Sequence, residues 1–76
     1  MPEDTDELRS ALKRTDDQIA EERRHIEHER GHIERAKQSG HDPTTRQKSL
    51  LAMHHFLDAL NHHRRILLER LGFYRP

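Results

Sequence analysis

The apolar positions of the chain fall into two periodic runs on either side of a short polar break. In the first run Leu12, Ile19, Ile26 and Ile33 recur every seven residues. The seam positions between them are Leu8, Thr15, Glu22, Glu29 and Ala36. Such a repeat draws one narrow apolar stripe along a helix, of the coiled-coil kind, and Glu22 and Glu29 weaken it. It predicts a first helix over about residues 5–38. Asp4 stands where an N-cap belongs, Glu7 takes the reciprocal capping position, and Asp6 adds negative charge where the helix dipole favours it.

The second run is wider. Leu50, Met53, Leu57, Leu60, Leu67, Leu68 and Leu71 form one broad stripe, with Leu51 and His54 at its edge. Ala52, Phe56, Ala59, His63 and Ile66 make a second set around the opposite shoulder. At about 100° per residue the two sets cover more than half the circumference of a helix, predicted over about residues 43–71. One partner helix with a narrow seam cannot cover that much surface. The excess predicts self-association through Phe56, Ala59, His63 and Ile66, most simply as two hairpins in a homodimeric four-helix bundle.

Between the runs, Gly40 suits the left-handed conformation that closes a helix, and Asp42 suits the capping of the next one. Pro43 suits a first helical position, where its missing N–H costs nothing. A turn over residues 39–43 is short enough to fold the second helix back on the first. Gly72 reads as the second stop, leaving a C-terminal tail over 72–76. The fold class expected is therefore all-α, an antiparallel two-helix hairpin forming a single unit over residues 1–76.

Charge supports that pairing. Residues 1–38 carry 8 basic and 11 acidic groups, net −3, and residues 39–76 carry 6 and 3, net +3. Opposite halves attract when folded together. A pairing that sets Ile33 near Leu50, Ile26 near Leu57, Ile19 near Arg64 and Leu12 near Leu71 also brings Glu29 to His54 and Glu22 to Asn61. It places the acidic start of the first helix beside Arg70 and Arg75.

Composition narrows the classes further. The 76 residues contain no cysteine, so neither a disulfide framework nor a thiolate metal site can staple so small a core. Leu, Ile and Phe supply 15 residues and valine none, which approaches a disordered composition and leaves little strand material. Zero net charge and periodic placement of the charges argue for folding all the same. The acidic opening is unlike a signal peptide, and runs such as Ile66-Leu67-Leu68 fall far short of a membrane span, so a cytoplasmic address is expected.

Catalysis finds little footing. Ser10, Ser39 and Ser49 are scattered along a rod that offers no cleft, and no glycine-rich phosphate loop is present, so no enzyme is expected. Arg64-Arg65 with Arg70 and Arg75 offer cations for phosphates, but overall neutrality speaks against nucleic acid. The eight histidines are the compositional oddity. His25, His28 and His32 share one face of the first helix, and Glu22 and Glu29 each stand three residues before a histidine. Glu-x-x-His is the spacing that di-metal carboxylate bundles use. Glu22, His25, Glu29, His32 and His54 are thus candidate ligands for zinc or iron. The plainer reading has these side chains solvating the surface or pairing with one another.

Arg24-His25-Ile26-Glu27 through Ile33, Gly40-His41-Asp42 followed by a threonine, and Asn61 to Leu71 together resemble short uncharacterised helical-hairpin proteins of alphaproteobacteria. Those read Ile-x-x-Leu-x-x-x-Gly-His-Asp-Thr before a leucine-rich helix ending in His-Arg-x-x-Leu-Leu. The resemblance covers roughly residues 20–71; here Pro43 separates Asp42 from Thr44. It implies a hairpin and brings no activity or site residues with it. The function expected is a small interaction protein, an adaptor or regulator acting as a homo-oligomer on a protein partner. The alternative is a metal-binding bundle.

Overall fold

The computed structural model describes residues 4–73. They form two helices, α1 over Thr5–Gln38 and α2 over Thr44–Arg70, packed against each other in a rod of 58 × 21 × 16 Å. Among the described residues, ion pairs cross between them at Glu29 with Arg46, near the turn, and at Asp16 with Arg64, further away. That order makes the pairing antiparallel. No strand occurs among the described residues.

The helix ends are built as the sequence requires. Asp4 caps α1 by accepting a 2.9 Å hydrogen bond from the Asp6 N–H. At the other end Gly40 takes a φ of 74°, and two bonds then close the helix. The Gly40 N–H donates to the Lys37 carbonyl and the His41 N–H to the Ala36 carbonyl. The end of α2 repeats the device with Gly72 at φ 86°, whose N–H donates to Glu69 while that of Phe73 donates to Leu68. Otherwise orphaned carbonyls are satisfied in both places.

The start of α2 lies one residue later than expected. Pro43 occupies the cap position, its carbonyl accepting from the Gln47 N–H, and the helix opens at Thr44. Asp42 still does the capping: its Oδ1 accepts from the Thr44 N–H at 3.0 Å and from the Thr44 hydroxyl at 2.5 Å. Those bonds, the hydroxyl first, hold the Asp42 carboxyl below its ordinary pKa.

One seam joins the helices. From α1 it buries Thr15, Ile19, Glu22, Ile26 and Ile33, and from α2 Leu60, Leu67 and Leu68. Leu50, Met53, Leu57 and Leu71 flank it half-buried. Each buried Ile or Leu contributes about 2 kcal/mol. Thr15 belongs in this seam because its hydroxyl donates to the Ala11 carbonyl at 2.8 Å, leaving the methyl group for packing. Leu51, expected at the edge of the buried stripe, is 58% exposed. It sits about 100° around the helix from Leu50, beyond the reach of a single partner.

Gly31 marks no close backbone approach. A Cβ built there would meet only the tip of the Arg35 side chain, at 3.3 Å. The glycine is a tolerated weakness in α1.

Candidate functional site

Two groups of residues stand out on the rod: the histidine-bearing side of α1 and the outward seam of α2. On α1, the heptad that turns Ile26 and Ile33 inward turns His25 and His32 aside. His25, His28 and His32 line an open groove of about 460 Å³ together with Glu29, Arg46 and Met53. His25 Nδ1 lies 3.7 Å from Glu22 Oε1, and its Nε2 lies 3.7 Å from Glu21 Oε1. His32 Nδ1 is 3.1 Å from Nη2 of Arg35. A guanidinium only donates, so Nδ1 is the acceptor in this contact.

The two seam carboxylates find partners other than those expected. Glu29, expected to meet His54, accepts at 2.9 Å from Arg46, two turns closer to the hairpin end. Glu22, expected to meet Asn61, has His25 of its own helix as its neighbour, and Asn61 is exposed. Arg64, expected beside Ile19, does line a groove with it, but its Nε donates at 2.6 Å to Asp16, one turn earlier. The reason is reach. An arginine side chain spans a helical turn and carries a full charge, so it outcompetes a shorter neutral group placed directly opposite.

These pairings decide what the candidate ligands do within one chain. Glu22, His25, Glu29, His32 and His54 do not converge: Glu29 is held by Arg46, His32 by Arg35, and His54 stands half-buried on α2. Among the described residues no three His, Asp or Glu side chains are arranged to hold a metal ion. Glu-x-x-His spacing puts the glutamate on the seam and the histidine off it, so both point at one centre only where a further helix supplies ligands opposite.

The outward seam of α2 presents a different picture. Phe56 is 51% exposed, Ala52, Ala59 and His63 are exposed, and Ile66 is half-buried. Their spacing alternates four and three residues, the spacing of a coiled-coil contact. It therefore forms a second apolar seam, parallel to the buried one and unpartnered within the hairpin. Towards the open end His63 and Leu67 line a groove of about 800 Å³ with Leu8 and Ala11 of α1. Asp4, Asp6, Glu7 and Arg70 line the same groove, so the acidic start of α1 does lie beside Arg70, as expected; Arg75 falls outside the described residues.

Sequence reasoning missed Leu8 and Ala11 as neighbours of the second seam. Their proximity depends on which side of α1 faces the groove, which only the packed pair defines. Phe73, in the C-terminal tail, lies beyond the end of α2 and is 69% exposed.

No protein-family model, no curated protein and no solved structure matches the chain. No helix among the described residues is long and apolar enough to cross a membrane.

Proposed function

We propose that this chain is a small non-enzymatic interaction protein, an adaptor or regulator that works as a homo-oligomer. The observation that carries this reading is the second seam of α2, in which Phe56 is half exposed. A water-facing helix of a self-sufficient hairpin has no need of apolar residues at coiled-coil spacing. Size points the same way. A rod of two helices buries one narrow seam, and chains of this length usually need a staple or a partner to be firmly stable. With no cysteine the chain has no disulfide to do this, and association is a device that the second seam of α2 can supply.

The reading is tested by sedimentation at micromolar concentration, where the wild type is expected to run as a dimer or larger. Phe56→Asp places a charge in the contact and should weaken association by about 3 kcal/mol, more than a hundredfold in the dissociation constant. A wild type that is fully folded and monomeric under these conditions would refute the proposal.

A further inference from the structure

We infer that two copies of the chain pack α2 against α2 in antiparallel orientation, about a two-fold axis passing beside Ala59. The inference rests on the homo-oligomeric reading above and adds to it the occupant, orientation and register of the seam.

The first support is the layout of the seam itself. Ala52, Phe56, Ala59, His63 and Ile66 are exposed or half-buried on one side of α2; Ala52 and Ile66 stand seven residues either side of Ala59, and Phe56 and His63 three and four residues from it. A two-fold contact requires a surface complementary to itself. Antiparallel pairing centred on Ala59 meets that requirement. Ala59 faces the partner's Ala59, Ala52 faces the partner's Ile66, and Phe56 falls within one residue of the partner's His63. Small stands opposite large at the ends, ring stands opposite ring between, and the smallest pair lies at the axis, where the backbones come nearest. Parallel pairing would set every side chain on its own copy, so that His63 meets His63 and Ala52 meets Ala52 with no large side chain to fill the space there.

The second support is charge. The closed end of the hairpin, residues 35–48, carries Arg35, Lys37, Arg46 and Lys48 against Asp42, net +3. The open end has Asp4, Asp6 and Glu7 against Arg9 in residues 4–9, net −2, while Glu69 and Arg70 cancel. Antiparallel packing lays each basic end over the partner's acidic end, whereas parallel packing lays like on like. The field therefore selects the same orientation as the side-chain sizes. Leu8 and Ala11, in the groove beside His63, extend the apolar surface at the acidic end.

Single cysteines introduced into this cysteine-free chain test the register directly. A disulfide forms only where Cα atoms come within about 7 Å. At the axis, Ala59→Cys should cross-link to itself on mild oxidation, at least tenfold faster than Ala52→Cys. The two copies of position 52 lie seven residues either side of the axis, about 21 Å apart along it. An equimolar mixture of Ala52→Cys and Ile66→Cys should form the mixed dimer, an independent check should Ala59→Cys perturb the contact. Self-cross-linking of Ala52→Cys as fast as that of Ala59→Cys would overturn the antiparallel register while leaving the dimer intact. So would a sedimenting dimer that forms neither the Ala59→Cys self-link nor the mixed link. A wild type that sediments as a monomer would overturn the homo-oligomeric reading and this inference with it.

Discussion

The two helices use their apolar residues in opposite ways. α1 is the more polar of the two, yet it buries five residues, among them a threonine and a glutamate. α2 is rich in leucine, yet it buries only three, and it leaves Leu51 and Phe56 more than half exposed. Two helices touch along one line, so the contact is as wide as the narrower stripe and no wider. Positions on that line are buried whatever their polarity, which is why Glu22 is only 8% exposed. Apolar residues off the line stay in water. Burial in a hairpin therefore follows geometry first and hydrophobicity second, and the mismatch leaves α2 with surface to share.

The sharpest way to break this contrast is to truncate one residue on each side of it. Ile26 is 4% exposed in the seam, and Ile26→Ala should lower the unfolding free energy by about 3 kcal/mol. Phe56→Ala, measured at concentrations dilute enough to hold the chain monomeric, should change it by less than about 0.5 kcal/mol. Urea denaturation followed by circular dichroism reads both. Equal losses would mean that Phe56 is packed within the single chain after all.

Backbone changes in and beyond α1 come next. Gly40→Val should cost about 1–2 kcal/mol, since its φ of 74° strains a side chain although nothing lies within 4 Å of an added Cβ. A variant as stable as the wild type would place the end of α1 elsewhere. Gly31→Ala should instead stabilise by about 1 kcal/mol, because the Arg35 tip 3.3 Å from the new methyl can swing away. Thermal melts of the two variants should move in opposite directions.

The smallest effect belongs to the start of α2. Asp42→Ala removes the acceptor for the Thr44 N–H and hydroxyl, and should lower the melting temperature by a few degrees at neutral pH. The sign with pH follows from the lowered pKa. A carboxylate stabilised in the folded state contributes fully above its ordinary value of 3.8, and loses that contribution as pH falls through the lower folded value. The gap between wild type and Asp42→Ala should therefore close in acid. A gap that stays constant down to the most acidic melts would show that the charge of Asp42 plays no part in the cap.

Much of this fold can be read from local chemistry. Asp4, Gly40, Asp42 and Gly72 mark helix ends because each meets a demand of the backbone a few residues away, and such demands do not depend on what packs nearby. Pro43 shifted by one position because the Asp42 side chain reaches Thr44 and fixes the first turn from one residue further back. The heptad of Ile19, Ile26 and Ile33 likewise determined which face of α1 turns inward. It is a property of spacing, and spacing is all that a helix needs to assemble a stripe.

Partner choice was decided elsewhere. Glu29 took Arg46 and Asp16 took Arg64 because side-chain reach and charge act across the gap between helices, where position numbers give only an approximate register. The candidate metal ligands stayed apart for the same reason: Glu-x-x-His fixes two directions on one helix, and convergence depends on what stands opposite. The sequence by itself determined two helices, their ends, their inward faces and an excess of apolar surface on the second. Only the tertiary structure decided which excess residues face water, since exposure is set by the width of the contact and not by the residue alone.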